Sequence, residues 1–160
     1  MAEPKAKAQP ADLALYRFCV PIPIRYDDID AQRHLNNVAY FVFMQQARLE
    51  YLREVGLWSG ADFQAVGMIL REATCSYLAP AYLGETVKVW TRVSYLGNKS
   101  FRFEYRLQTG RDVAWGHSAQ VCYDWMQGQS ISMPDEWREA IVAYEPALRV
   151  AGQRRAATEG

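Results

Sequence analysis

Reactive side chains are concentrated in one short segment of the chain, between Arg25 and Tyr40. Eleven consecutive residues within it contain three carboxylates, one of the two histidines and two adjacent asparagines. These side chains are Asp27, Asp28, Asp30, His34, Asn36 and Asn37. A carboxylate can serve as a general base or a nucleophile, and a nearby imidazole can orient it or move a proton. Acid–base or nucleophilic chemistry is therefore the first expectation for this segment.

The reactive segment lies between a strand pattern and a helix pattern. Residues 18–26 alternate in polarity, and the two prolines among them place this strand at the edge of a sheet. From residue 37 to residue 55 apolar side chains recur every three or four positions, which predicts an amphipathic helix. Either Asn36 or Asn37 can cap this helix. Because a helix start has unpaired N–H groups and a positive dipole end, the junction brings carboxylates, an imidazole and backbone donors together.

Strand patterns make up most of the chain after this helix. In residues 101–107 aromatic residues and leucine alternate strictly with charged residues, so one face of the strand is buried and the other is wet. The predicted strands are 68–77, 86–96, 101–107 and 113–124, and a short helix is predicted at 137–144. One long helix followed by antiparallel strands is an α+β pattern. A curved sheet wrapped around the helix would bury its wide apolar surface.

The composition restricts the classes of protein to which the chain can belong. Its 160 residues are half apolar and 13% aromatic, which suffices for one domain with a real core. Lys plus Arg and Asp plus Glu number 18 each, so no net charge attracts nucleic acid or a membrane. We expect flexible tails at 1–14 and 148–160 around a single domain at 15–147.

The three cysteines, Cys19, Cys75 and Cys122, lack the spacing of a metal site or a redox pair. Each lies in a strand-like apolar context, so we expect buried, unreactive thiols in a reducing compartment. No apolar run is long enough to span a membrane, and no signal-peptide pattern is present. A cytoplasmic location is the resulting expectation. The sequence also lacks the motifs of serine hydrolases and of nucleotide-binding proteins.

The reactive segment and the helix after it resemble the hot-dog thioesterases, in particular their 4-hydroxybenzoyl-CoA thioesterase-like branch. The motif stands here as Arg25-Tyr26, Asp28, Asp30, His34-Leu35-Asn36-Asn37 and Tyr40, and it continues as Ala47-Arg48-Leu49-Glu50-Tyr51-Leu52 and Gly56-Leu57. Weaker matches follow in the expected order, at residues 77–81 and 97–101. The resemblance covers about residues 17 to 135 of the chain.

This resemblance implies a fold, a reaction and an assembly. The fold is the α+β hot-dog, a curved antiparallel sheet wrapped around one long central helix. The reaction is hydrolysis of an acyl-CoA thioester to a free carboxylate and the CoA thiol, with neither metal nor cofactor. A homodimer or homotetramer is expected, with the active site at a dimer interface. The alternatives are an acyl-carrier-protein thioesterase, a hot-dog hydratase, for which no matching motif is found, and a non-catalytic acyl-thioester-binding protein.

By the same resemblance, Asp30 is the catalytic carboxylate, either as general base or as nucleophile. His34 would orient Asp30 or the attacking water, and backbone N–H groups at the helix start would polarise the thioester carbonyl. The expected substrate-binding residues are Arg33, Asn37, Val38, Ala39, Tyr40, Lys99 and Ser100. Structural roles compete with these: Asp and Asn are common at helix starts, and a tyrosine in an apolar stripe is common in a core.

One residue departs from the family pattern. Arg33 stands where a glycine commonly precedes the histidine, so a cation at this position would narrow the pocket entrance or contact the ligand. In this respect Asp30, Gln32 and His34 resemble the plant acyl-carrier-protein thioesterases. The departure leaves the acyl group and its carrier open.

Several other polar residues have a mainly structural interpretation. We expect Asp27 and Asp28 to be solvated carboxylates, although Asp28 could support Asp30. Arg102 and Arg106 share one wet strand face, and we expect Arg106 to be a solvated cation. His117 has the parity of buried residues in its strand, which predicts a core histidine with satisfied hydrogen bonds.

Overall fold

The computed structural model describes residues 9–61 and 66–152. In this part of the chain, one long helix lies against a seven-stranded sheet. The elements in chain order are β1 (Phe18–Pro23), α1 (Asn37–Glu54), β2 (Val66–Tyr77), β3 (Thr86–Leu96), β4 (Ser100–Gln108), β5 (Asp112–Asp124), β6 (Gln129–Ser130), α2 (Asp135–Tyr144) and β7 (Arg149–Val150). Neither described helix has the length and apolarity needed to cross a bilayer.

The order of strands in the sheet is β1-β3-β4-β5-β2, with every neighbouring pair antiparallel. The short strands β6 and β7 join β5 and β3 at the side. β1 lies at an edge, as its prolines predicted, because Pro21 and Pro23 have no N–H to offer a second neighbour. β2 forms the opposite edge, although it precedes β3 in the sequence.

The core lies between α1 and one face of the sheet. Alternate residues of β4 are buried against the helix, and the residues between them are on the outer face, as predicted. The ring of Tyr51 on α1 meets the ring of Phe103 edge-on, with 5.3 Å between the centroids. Gly116 on β5 allows a close approach, because a Cβ there would lie 2.9 Å from Met44 Cε and 2.1 Å from the Thr74 carbonyl oxygen.

Parts of the two predicted tails form regular structure where the structure describes them. Leu13–Leu15 forms a 3-10 turn capped by Asp12, and Tyr16 is buried beside it. At the other end, β7 pairs with β3 in parallel. Apolar side chains and free backbone groups of the sheet retain both segments, which the Ala-, Lys- and Pro-rich composition did not suggest. The outermost parts of the predicted tails, 1–8 and 153–160, lie outside the described residues.

Candidate active site

The segment between β1 and α1 is held by an ion pair between the exposed Arg25 and the buried Asp28. Tyr26–Asp28 forms a 3-10 turn, and Asp28 accepts hydrogen bonds from the Arg25 guanidinium (2.8 and 3.2 Å) and from the Arg25 N–H (2.8 Å). Asp28 is only 6% exposed, so the prediction of a solvated carboxylate is wrong. The hydrogen bonds from Arg25 lower the pKa of this carboxyl group. Asp28 therefore shapes the loop that carries Asp30.

Asp30 begins a tight turn at the mouth of a cavity. Its Oδ1 accepts the N–H of Gln32 at 2.8 Å, and its carbonyl accepts the N–H of Arg33 at 3.0 Å. Asp30 therefore also has a structural role in the turn, and this role uses one carboxylate oxygen. Among the described residues, the other oxygen has no hydrogen-bond donor, so it can face a ligand.

Arg33 occupies the left-handed region of the backbone, with φ of +65°. A residue with a Cβ is strained in this conformation and glycine is not, which explains why a glycine suits this position in the family pattern. The Arg33 side chain is exposed and is not part of the cavity wall. The presence of Arg33 instead of glycine thus strains the backbone of the turn rather than changing the cavity wall.

The start of α1 presents fewer free donors than the sequence suggested. Asn36 is the N-cap, and its Oδ1 accepts the N–H of Val38 at 2.8 Å. The N–H of Ala39 donates to the Asn36 carbonyl at 2.9 Å. The N–H of Asn37 has no acceptor among the described residues. The N–H of Asn37 is therefore a free donor at the helix start.

A cavity of about 580 Å³ lies beside this helix start. Its walls are formed by Asp30, Gln32, His34, Leu35, Asn37, Tyr40, Tyr77, Leu78, Ala79 and Pro80. The structure thus brings together Asp30, His34, Asn37 and Tyr40, four of the predicted site residues. Val38 is exposed and Ala39 is buried, and neither lines the cavity. Its walls combine a carboxylate and hydrogen-bonding groups with apolar side chains, which suits a ligand that has both polar and apolar parts.

His34 lies in the cavity wall with a defined tautomer. Its Nδ1 is 3.2 Å from the carbonyl oxygen of Leu35. Because a carbonyl only accepts, Nδ1 carries the proton and Nε2 is an acceptor in the neutral ring. The His34 ring and the Asp30 carboxylate share the cavity without a hydrogen bond between them in the described contacts. His34 is thus placed to meet a water molecule or a ligand.

Tyr77 is a site residue that the sequence analysis did not single out. Its hydroxyl donates to the carbonyl of Asn37 at 2.8 Å, and its ring meets that of Tyr40 edge-on at 5.1 Å. Burial, with a further contribution from Cys75, raises the pKa of Tyr77 to about 12, so the hydroxyl remains a donor at neutral pH. Tyr77 and Cys75 are two positions apart at the end of β2, so their side chains lie on the same face of the sheet. This spacing is the sequence signal that could have identified Tyr77.

Lys99 and Ser100 lie far from this cavity within one chain. Ser100 pairs with Val121, which in turn pairs with Ile69, whereas Tyr77 is at the other end of β2. Ile69 and Tyr77 are eight positions apart along the strand, which corresponds to a distance of roughly 26 Å. Within one chain, Lys99 and Ser100 therefore do not come near Asp30.

Two residues outside the cavity differ from their predicted surroundings. Arg106 makes a bidentate ion pair with Asp112, at 2.9 and 2.7 Å, rather than being a solvated cation. His117 is on the outer face of the sheet, where its Nδ1 is 2.9 Å from Thr74 Oγ1 and its Nε2 is 3.3 Å from Glu72. Its hydrogen bonds are satisfied as predicted, but its place in the core was predicted wrongly.

The chain belongs to the thioesterase-like superfamily, whose family model matches residues 24–141. A relative of similar length is the acyl-CoA thioesterase YbgC of Haemophilus influenzae. It is 25% identical over 127 residues, which cover 78% of this chain and 93% of that protein. The predicted family is thereby confirmed.

Solved structures share the architecture. The PA5185 protein of Pseudomonas aeruginosa PAO1 is 29% identical, with a TM-score of 0.75 over 85% of this chain and 96% of that chain. A thioesterase of Thermus thermophilus, solved with coenzyme A and Zn, is 27% identical, with a TM-score of 0.71 over 81% of this chain and 94% of that chain. The predicted α+β hot-dog fold is confirmed.

Proposed function

We propose that the protein is an acyl-CoA thioesterase that releases a carboxylate and the CoA thiol. The observation that carries this proposal is that Asp30 and Asn37, a carboxylate residue and the first residue of α1, line the same cavity. A thioester hydrolase needs a base or nucleophile, a donor for the developing oxyanion and room for the acyl group. Membership of the thioesterase-like superfamily and the similarity to acyl-CoA thioesterases support the same reaction.

The chemistry follows from the positions of these groups. The thioester oxygen accepts the N–H of Asn37, and the positive end of α1 favours the negative charge that develops there. The free oxygen of Asp30 either removes a proton from water, which attacks the carbonyl carbon, or attacks that carbon itself. In the second route, water then hydrolyses the mixed anhydride. Both routes break the C–S bond, and the thiolate leaves and takes up a proton.

His34 and Tyr77 would act beside this pair. A neutral His34 has Nε2 available to accept a hydrogen bond from the attacking water and so to orient it. Tyr77 fixes the first turn of α1 through the Asn37 carbonyl, which positions the neighbouring N–H donor. Tyr40 contributes an aromatic wall for the acyl group and packs edge-on against Tyr77.

Replacement of Asp30 tests the reaction. Asp30→Asn keeps the size and an acceptor for the Gln32 N–H, but removes the base and nucleophile. We expect turnover of acyl-CoA, measured by trapping the thiol, to fall about 10²–10⁴-fold, while CoA binding by calorimetry is retained. Asp27→Asn, at an exposed aspartate three residues away, is the control and should keep full turnover. Normal turnover of Asp30→Asn would exclude the assigned role.

We also propose that two copies share each site. The long edge strand β2 has backbone groups available for pairing with a second copy. Only a second copy could bring Lys99 and Ser100 near the Asp30 cavity, since they lie at the far end of the sheet in their own chain. We expect a homodimer or homotetramer by sedimentation. A monomer with full activity would contradict shared sites.

A cytoplasmic location is part of the proposal. All three cysteines are free thiols, and burial raises the pKa of Cys75 and of Cys122 to about 11. Neutral, unpaired thiols suit a reducing compartment, where acyl-CoA is also the accessible substrate.

A further inference from the structure

One short segment after β2 forms an apolar wall of the cavity beside Asp30, which we call the catalytic cavity. Residues 78–80 line this cavity, and Ala81 after them is fully buried. We call residues 78–81 the wall segment. The wall segment lies between β2 and β3 and belongs to neither a helix nor a strand. Its position therefore depends on hydrogen bonds to other parts of the chain.

Backbone hydrogen bonds hold the two ends of the wall segment. The N–H groups of residues 78–79 both donate to the carbonyl of Val113 on β5, at 2.9 and 3.3 Å. At the other end, the carbonyl of Ala81 accepts the N–H of Leu35, which follows His34, at 2.7 Å. The wall segment thus connects the sheet with the loop that carries the candidate catalytic residues.

Arg111 holds the middle of the wall segment without lining the cavity. It lies in the turn between β4 and β5, where Gly110 has a left-handed φ of +90°. Its Nη2 donates to the carbonyl of Pro80. Its Nη1 donates to Glu85 Oε1 and to Thr109 Oγ1, both at 3.0 Å. Among the described residues, the Pro80 carbonyl has no other donor, so Arg111 alone fixes this peptide group.

Glu85 anchors the guanidinium and the end of the same loop. Its Oε2 accepts the N–H of Tyr82 at 2.7 Å, and its carbonyl accepts the N–H of Ile24 at 3.0 Å. The hydrogen bond from Arg111 lowers the pKa of the Glu85 carboxyl group, so the pair is ionised at neutral pH. A planar guanidinium thus joins Pro80 and Glu85 in one fixed geometry, which the ammonium group of a lysine cannot reproduce.

We propose that Arg111 is a positioning residue that sets the size of the acyl group accepted by the catalytic cavity. This inference rests on the proposed function, which places the acyl group among the apolar walls beside Asp30. The Pro80 carbonyl belongs to the backbone of the wall, so a shift of this group moves the wall itself. Tyr82 and Leu83, which follow the wall segment, are 47% and 53% exposed. Without Arg111 the wall can therefore yield to a larger acyl group.

Binding of substrate analogues tests this role without a catalytic step. A series of S-alkyl-CoA thioethers, from methyl to dodecyl, cannot be hydrolysed and probes the cavity by length. Arg111→Met keeps an apolar stem and removes both donors. Lys88→Met is the control, because it removes an exposed cation at the same end of the sheet.

We expect calorimetry to show a change of selectivity in Arg111→Met only. The affinity ratio of long to short thioethers should rise about tenfold, since a single methylene in a close-fitting pocket changes discrimination by that much. CoA itself should bind the wild type and both variants alike, and Lys88→Met should keep the ratio of the wild type. An unchanged ratio in Arg111→Met would overturn the proposal.

Two further measurements separate positioning from general stability. Amide hydrogen exchange of Arg111→Met should rise in residues 78–85 and stay at the wild-type level in α1 and β4. A rise throughout the sheet would refute a local role. Arg111→Lys keeps the charge but not the two-donor geometry, so its selectivity should lie between those of the wild type and Arg111→Met. Wild-type selectivity in Arg111→Lys would contradict the assigned geometry.

Turnover of the matching acyl-CoA series distinguishes this inference from the proposed function. The preferred acyl length in kcat/KM should shift upward in Arg111→Met, in parallel with thioether binding. If the wild type hydrolyses no thioester but thioether selectivity changes in Arg111→Met, the thioesterase proposal fails while the role of Arg111 stands. If the wild type hydrolyses acyl-CoA and both proteins have the same length profile, only the role of Arg111 is refuted.

Discussion

At the scale of single residues, Tyr77 joins the sheet to the start of α1 by one hydrogen bond. Tyr77→Phe removes the donor to the Asn37 carbonyl and keeps the ring that packs on Tyr40. A small displacement of the first turn moves the Asn37 N–H away from the thioester oxygen. We expect kcat for acyl-CoA to fall about tenfold with KM nearly unchanged, because the affected contact strengthens in the transition state.

The control for this prediction is Tyr26→Phe, which removes a hydroxyl from a tyrosine that is 80% exposed. It should leave kcat and KM unchanged. An equal loss of kcat in both variants, or a change in KM alone for Tyr77→Phe, would show that Tyr77 does not position the helix start.

Arg33 combines a strained backbone with an exposed side chain, so its replacement is expected to change stability rather than ligand binding. Arg33→Gly removes the Cβ from a left-handed residue. We expect the free energy of unfolding in urea to rise by on the order of 1 kcal/mol. Arg33→Ala keeps the Cβ and loses only the guanidinium, so it should not stabilise. A KM that rises equally in both variants would restore the predicted contact between Arg33 and the ligand.

At the scale of elements, the first turn of α1 serves both the helix and the site. The Asn36 cap uses the N–H of Val38 and leaves that of Asn37 free. Aspartate caps a helix as well as asparagine does, but it places a negative charge beside the developing oxyanion. Asn36→Asp should therefore keep the thermal unfolding temperature within a few degrees and lower kcat about tenfold.

Two further variants at this position complete the test. Asn36→Ser keeps a neutral cap and should preserve both stability and kcat. Asn36→Ala removes the cap and should cost about 1 kcal/mol of stability. If Asn36→Asp and Asn36→Ser have the same kcat, the charge next to Asn37 does not matter for the reaction.

Most element types were predictable because each has its own period. The alternation in residues 101–107 and the spacing from 37 to 55 gave β4 and α1 nearly to their ends, and Asn36 and the left-handed Gly56 mark the ends of α1. The pairing of β2 with β5 was not predictable, since adjacent strands usually pair and β2 passes over two neighbours in the sequence.

The residues of the site also fall into those that the sequence could predict and those that it could not. Asp30, His34, Asn37 and Tyr40 are close in the sequence, so a local motif could predict that they share a cavity. Tyr77 reaches the cavity from a strand forty residues away, and only the packed sheet brings it to Asn37. The burial of Asp28 depends on Arg25 and on the fold of the turn, which alternation alone cannot reveal.

At the scale of the whole molecule, Glu145 connects three elements. It follows α2, and its Oε1 accepts the Tyr51 hydroxyl of α1 at 2.5 Å and the Val93 N–H of β3 at 2.8 Å, whereas Oε2 has no partner among the described residues. Burial raises the pKa of Glu145 above its ordinary value of 4.5. The folded protein thus holds this proton more tightly than the unfolded chain does.

The pH dependence of stability follows from that difference. The protonated Glu145 carboxyl stabilises the folded state. This stabilisation is complete below the pKa of Glu145 in the unfolded chain, near 4.5, and is lost as the pH rises through its higher pKa in the folded protein. Glu145→Gln keeps an acceptor and cannot ionise. We expect the urea midpoint of the wild type to fall relative to that of Glu145→Gln as the pH rises from 4 to about 8. Parallel profiles for the two proteins would contradict a raised pKa.

The position of β2 at the far edge of the sheet also has a consequence for folding. β3, β4 and β5 follow one another through short turns, so their contacts are local and can form early. β2 must instead close a loop of about forty residues to reach β5, and it ends at Tyr77, which with the following Leu78 lines the catalytic cavity. The wall of the catalytic cavity is therefore expected to form after the β3–β4–β5 part of the sheet, so a folding intermediate that contains only these three strands would lack the active site.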